Sequence, residues 1–186
     1  MRQQKGFAKK SLGQNFLQST QVRDDIVSLA GEPFPEVVLE IGPGLGFMTN
    51  KLVKKAKRFV AGEMDERAVE MLHRDFDHRD NFELIEGDIL KQDIDTLFEQ
   101  QSYSVIANIP YNITSPILRK FWANTKNQPQ QMILMVQKEV AEKICLDMLK
   151  GKRSILSISV EIFAQAEYGF TVGRECFSPV PGVDSA

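Results

Sequence analysis

Val37-Val38-Leu39-Glu40-Ile41-Gly42-Pro43-Gly44-Leu45-Gly46 is an apolar run that closes on an acid and three glycines, and an amphipathic run follows from Phe47 to Lys55. Strand, tight turn and helix in that order are the nucleotide-binding opening of a doubly wound α/β sheet, whose strands read as continuous apolar runs because both faces are covered. The glycines admit positive φ angles and let backbone approach a ligand closely. Their spacing, Gly-x-Gly-x-Gly, is shorter than the dinucleotide fingerprint, and Glu40 sits at the strand end. An acid pressed toward the turn suits a positively charged ligand better than a pyrophosphate. S-adenosylmethionine is therefore expected here rather than NAD.

Working outward, the pattern repeats. Phe59 to Glu63 is a second strand closing on a carboxylate, about 20 residues after the turn, where the ribose hydroxyls of a nucleoside are expected. Met64 is placed beside the adenine, and Asp65 caps a helix from Glu66 to Phe76. A strand from Phe82 to Glu86 runs into Gly87-Asp88-Ile89, whose aspartate can accept from the cofactor's adenine amine. A fourth, Tyr103 to Ala107, delivers Asn108-Ile109-Pro110-Tyr111. One carboxylate alone reads as a helix cap; recurrence at successive strand ends defines a crevice. In the tetrapeptide, the Asn108 carboxamide oxygen and the Ile109 carbonyl can accept both hydrogens of an exocyclic amine, and Tyr111 offers a stacking face. Phe177 reads equally as the second stacking face on an extruded base and as a core residue.

Composition sets the limits. The chain has 186 residues, enough for one well-buried domain, with 42% hydrophobic and 26% charged residues, as in a soluble globular protein. No apolar run has membrane-spanning length, and the basic N-terminus lacks the apolar segment of a signal peptide. Cys145 and Cys176 have no metal-ligand spacing, so no metal and a reducing, cytoplasmic setting are expected. A net charge of −2 excludes a uniformly basic nucleic-acid binder. Charge is nonetheless clustered, in Lys5, Lys9 and Lys10 and again in Lys51, Lys54, Lys55, Lys57 and Arg58; each cluster reads as a phosphate contact or as a solvated face. Leu12 to Leu17 reads as a loop that packs down with its amides, Gln14 and Asn15, toward a ligand. Helices are expected at Thr20 to Ala30, with Thr20 as N-cap, at Ser115 to Trp122 with Pro116 in the first turn, and at Lys138 to Leu149 ending at Gly151. A fifth strand is expected at Met132 to Val136. Ser154 to Phe163 fits a strand and a helix alike.

Gln14-Asn15-Phe16-Leu17, Glu40-Ile41-Gly42-Pro43-Gly44, Gly87-Asp88, Asn108-Ile109-Pro110-Tyr111-Asn112-Ile113 and Gln137-Lys138-Glu139-Val140 together resemble the ordered motifs of the ribosomal small-subunit RNA adenine dimethyltransferases, from about Lys9 to the last residue. The resemblance implies a Rossmann-like class I S-adenosylmethionine-dependent methyltransferase with a mostly parallel, doubly wound sheet. Residues 1–19 would form a basic arm and cofactor-covering loop, and 20–186 the catalytic domain. It further implies a helix over 154–163, a strand at Tyr168 to Val172, and a last strand that starts at Val183 and is cut short, the family's C-terminal helical domain being absent from this sequence. Asn15, Leu17, Gly42, Glu63, Asp88 and Asn108 would contact S-adenosylmethionine. Asn108, Ile109, Pro110 and Tyr111 would form the catalytic stretch, with Tyr111 stacking on the target adenine.

The macrolide-resistance methyltransferases of large-subunit RNA share much of this pattern. Pro116 and the ending Phe177-Ser178-Pro179-Val180-Pro181-Gly182-Val183-Asp184-Ser185-Ala186 favour the small-subunit family. Thr114-Ser115 stands where that family more often has Ser-Thr, and Gly182 where it usually has lysine. The expected partner is RNA of the small ribosomal subunit, met by a monomer with no membrane attachment and with a role in ribosome assembly. A non-catalytic assembly or transcription factor on the same fold is the alternative of a different class.

Overall fold

The glycine turn after Ile41 lies at the centre of a sheet, and its neighbours in space determine where a ligand can sit. The structure, a computed structural model, describes residues 13–149 and 153–186; Lys5, Lys9, Lys10, Leu12 and Gly151 lie outside them. In chain order the elements are β1 (Phe16–Leu17), α1 (Thr20–Ser28), β2 (Val37–Ile41), α2 (Thr49–Leu52), β3 (Arg58–Glu63), α3 (Glu66–Phe76) and β4 (Phe82–Glu86). There follow α4 (Ile94–Phe98), β5 (Ser104–Asn108), α5 (Thr114–Ala123), β6 (Gln131–Met135), α6 (Lys138–Leu149), α7 (Ile155–Phe163) and β7 (Phe177–Ser178).

Five strands form a parallel sheet in the order β4-β3-β2-β5-β6. Alternate residues divide between its faces, as the period of two requires. Val38, Phe59, Ala61 and Ile106 join one core with Ile26, Leu52 and Phe76 from α1, α2 and α3. Leu39, Ile41, Val60, Val105 and Ala107 join the other with Phe98, Ile117 and Phe121 from α4 and α5. The chain winds from β2 outward to β4, then returns to the opposite side of β2 with β5. This reversal opens a crevice above the carboxyl ends of β2 and β5, the usual ligand position in such sheets. Among the described residues no helix is long and apolar enough to cross a membrane.

Several boundaries differ from expectation. The α1 cap is Ser19 rather than Thr20: its Oγ accepts from the Val22 N–H at 3.3 Å. Only Thr49–Leu52 of the run Phe47 to Lys55 is α-helical. Residues 44–48 remain a turn because Gly44 and Gly46 hold positive φ, and the far end tightens where Lys55 N–H bonds to the Leu52 carbonyl at 3.0 Å. Tyr103 precedes β5 instead of starting it, stacking on Phe98 with ring centroids 4.0 Å apart. Ser154 and Ser157 form a reciprocal capping box that makes 155–163 a helix.

The strand expected at Tyr168 to Val172 is not formed. A groove separates 166–170 from β6, so most of the segment lacks a neighbouring ladder, and only Val172 makes a bridge, to Ser185. Ser185 also bridges Gln137, and Ala186 exchanges two backbone bonds of 3.0 Å with Val136. The start of the last expected strand is thus seated between the two edges.

Candidate active site

A cavity opens above the strand ends. It is lined by Gly13 to Phe16, by Gly42 and Gly44 after β2, Glu63 at the end of β3 and Met64 beyond it, Asp88 after β4, Asn108 at the end of β5 with Ile109 to Tyr111 following, and Phe177. Asn15, Gly42, Glu63, Asp88, Asn108, Ile109, Pro110, Tyr111 and Phe177, all selected from the sequence, therefore come together in one place. Leu17 does not join them: it is 4% exposed and packs into the core.

Two glycines shape the turn differently. Gly42 (φ +66°) has nothing within 4 Å of where a Cβ would stand. A Cβ on Gly44 (φ +56°) would lie 2.9 Å from the Phe16 ring, so absence of a side chain there lets the covering loop close. Phe16 carries no sequence signal for this contact, since no spacing relates it to a glycine 28 positions later. The loop is held by the β1–β7 pairing, Leu17 opposite Phe177, and by Gln14, whose Nε2 donates to Asp65 Oδ2 at 3.1 Å. The Arg67 guanidinium and backbone amide bonded to Asp65 hold its carboxyl well below the usual range, and it remains an ionised cap for α3.

The two acids of the glycine strands divide their work. Glu63 is 5% exposed and accepts three backbone N–H groups at 2.9 Å, from Gly44, Met64 and Asp65, while still lining the cavity. Glu40, read from the sequence as an acid aimed at the ligand, is instead buried at 2% exposure and takes the Thr49 hydroxyl at 2.6 Å. Burial, with Glu63 nearby, pushes its carboxyl up to about 8, so at neutral pH it is predominantly protonated. Of the two acids, Glu63 is the one on the cavity wall.

Asp88 caps the short turn Ile89–Lys91, accepting from Leu90 N–H at 3.0 Å, and stands on the cavity wall. Asn108 donates through Nδ2 to the Asn15 carbonyl at 3.3 Å. The Ile109 N–H donates to Met135 at 3.1 Å, which fixes the peptide that follows β5. Pro110 then redirects the chain into the turn Tyr111–Ile113. Phe177 is both a core residue, 3% exposed, and part of the cavity wall. Acceptors, a ring and a glycine cradle in one cavity can hold a nucleoside and present a second planar base to it. Among the described residues no group of His, Cys, Asp and Glu has the arrangement of a metal site.

The second basic cluster lies elsewhere. Lys51 pairs with Asp24 at 3.3 Å, Lys55 with Glu32 at 3.4 Å, Arg58 with Glu83 at 2.8 Å, and Lys57 with Glu36. Arg58 begins β3 and Glu63 ends it, so this paired face is at the opposite end of the strand from the cavity.

The family model described as ribosomal RNA adenine dimethylase matches residues 6–186. The chain is 40% identical over 179 residues to a Fusobacterium nucleatum protein named ribosomal RNA small subunit methyltransferase A, covering 96% of this chain and 67% of that one. It spans 61–68% of the length of the curated relatives it matches. Among solved structures, the 23S rRNA methyltransferase ErmE superposes with TM-score 0.79 at 29% identity, over 92% of this chain and 67% of its own. A dimethyladenosine transferase from Plasmodium falciparum superposes with TM-score 0.78 at 31% identity, over 91% and 60%.

Proposed function

Because the chain belongs to the ribosomal RNA adenine dimethylase family, we propose that it uses S-adenosylmethionine to methylate, twice, the N6 amine of adenines in small-subunit ribosomal RNA. The observation that carries this is the meeting of Asn108 and Tyr111 with Gly42, Glu63 and Asp88 in one cavity. The cradle fits the cofactor: the space over Gly42 admits a ligand against the backbone, Glu63 is placed for ribose hydroxyls, and Asp88 for the adenine amine. Asn15 closes the site from the covering loop, whereas Leu17 supplies no side-chain surface to it.

Bound there, S-adenosylmethionine supplies an electrophilic methyl on a positively charged sulfur. The chain's own task is to make an adenine amine nucleophilic, since the nitrogen lone pair is delocalised into the ring. Asn108 Oδ1 and the Ile109 carbonyl accept the two amine hydrogens and hold them out of the line of attack, which favours a pyramidal nitrogen. No strong general base is required, because the proton leaves after transfer. Tyr111 and Phe177 stack on the extruded base, each face contributing about 1–3 kcal/mol.

Small-subunit RNA is favoured by the name of the 40% identical relative, together with Pro116 and the ending from Phe177 to Ala186. The near-equal superposition on a 23S rRNA methyltransferase supports large-subunit RNA as the second reading. We place the protein in the cytoplasm as a monomer acting on the subunit, where docking also gives it a part in assembly. Label transfer from methyl-labelled S-adenosylmethionine to purified unmodified small and large subunits tests the choice. Label in the small subunit alone supports it; label in the large subunit alone selects the other reading.

A further inference from the structure

Tyr111 and Ser185 share a hydrogen bond of 2.9 Å between their hydroxyls, and the mechanism above does not use it. Ser185 is 0% exposed. Its backbone is held by the bridge to Val172: Val172 N–H donates to its carbonyl at 2.8 Å, and its own N–H donates to the Val172 carbonyl at 2.9 Å. On either side, the Asp184 carbonyl accepts from Lys138 N–H and Ala186 pairs with Val136, each at 3.0 Å. Ser185 Oγ is therefore a fixed point. Tyr111, by contrast, begins a three-residue turn after Pro110, where two side-chain torsions set the plane of its ring.

We propose that Ser185 is a positioning residue for base recognition: by holding the Tyr111 hydroxyl it fixes the plane of the stacking ring before RNA arrives. This rests on the reading of Tyr111 as the partner of the target adenine. Anchoring the far end of the ring completes its ordering during folding instead of at each encounter, so the extruded base meets a preformed face. RNA docking, dominated by phosphate contacts, precedes this step and is unaffected by it. The anchor therefore acts on turnover rather than on affinity for RNA or cofactor.

Ser185→Ala and Tyr111→Phe remove the bond from opposite ends, the second from a partly exposed side chain whose ring is retained. Each is expected to lower kcat on small subunits by about 2- to 10-fold, the range of one hydrogen bond, with KM for RNA and Kd for S-adenosylmethionine unchanged. The double variant is expected to be no slower than the slower single variant. Independent, multiplying losses overturn the proposal, as does a change confined to KM. Ring-labelled tyrosine NMR supplies a readout that needs no RNA. With three tyrosines in the chain, the Tyr111 signals are those lost in Tyr111→Phe. Ser185→Ala is expected to shift or average them while leaving the buried Tyr103 unchanged. Unaltered Tyr111 signals in that variant overturn the anchor. Absence of methyl transfer by the wild type counts against the functional reading instead, and the ring spectrum still decides the anchor.

Discussion

The Asn108 side-chain amide donates to the backbone carbonyl of Asn15 at 3.3 Å, tying the end of β5 to the covering loop across 93 positions of sequence. With Nδ2 committed there, Oδ1 is the group the carboxamide retains for accepting from a substrate amine. Asn108→Ala is expected to reduce methyl transfer by about 10²-fold or more while S-adenosylmethionine binding stays within a few-fold. Asn108→Asp keeps acceptors but sets a carboxylate against the Asn15 carbonyl, and is expected to weaken cofactor binding as well. Calorimetric titration and single-turnover transfer separate the two effects; equal losses of affinity in both variants would contradict the division of roles.

Gly42 and Gly44 predict different failures. Alanine at either strains a positive φ, a cost of about 1–2 kcal/mol. At Gly44 the new Cβ also meets Phe16 at 2.9 Å, whereas at Gly42 it enters open space. Gly44→Ala is expected to loosen the covering loop, seen as faster amide exchange at Phe16 and Leu17. Gly42→Ala is expected to leave those amides unchanged and to weaken S-adenosylmethionine by roughly tenfold or more through lost cradle space. Identical exchange patterns in the two variants would refute the assignment of Phe16 to Gly44.

Buried Glu40 gives the fold a pH dependence. Its carboxyl moves from an ordinary 4.5 to about 8 in the folded protein. Folding therefore takes up a proton within this window: the contribution to stability is full below pH 4.5 and is lost as pH rises through 8, at up to about 1.4 kcal/mol per pH unit. Glu40→Gln keeps an acceptor for Thr49 and cannot titrate. Between pH 5 and 8.5 the wild-type Tm is expected to fall relative to that of the variant by roughly 5 °C or more. Parallel Tm curves would show that Glu40 does not carry a proton in the native state.

The paired basic face is expected to be silent toward RNA. Lys55→Glu with Lys57→Glu should leave both affinity for small subunits and its salt dependence unchanged, because these side chains already face Glu32 and Glu36 at the far end of β3. A salt slope lowered by about one per residue would move the RNA contact to this face.

The sheet was readable because buried parallel strands are continuous apolar runs, and each of Val37, Phe59 and Met132 lies in one. Recurrence of polar residues at strand ends marks Glu63, Asp88 and Asn108 for the one crevice they share. Glu40 misled for a reason local to β2: it stands one residue short of the strand's end and meets Thr49 in the layer between sheet and helix, whereas Glu63 and Asn108 are the last residues of their strands and reach the cavity. Contacts made by chain segments far apart left no periodic trace. Phe16 on Gly44, Asn15 on Asn108 and Ser185 on Tyr111 each join loops whose approach depends on the β1–β7 pairing and on the two bridges of Ser185.

The central claim is that Asn108 presents an adenine N6 amine for methylation. Its most direct test is nucleoside analysis of small-subunit RNA after reaction with wild type and with Asn108→Ala at saturating S-adenosylmethionine. The account predicts N6,N6-dimethyladenosine from the wild type and essentially none from a variant that still binds cofactor. Methyl groups on another base or another atom, or undiminished dimethyladenosine from the variant, would contradict it.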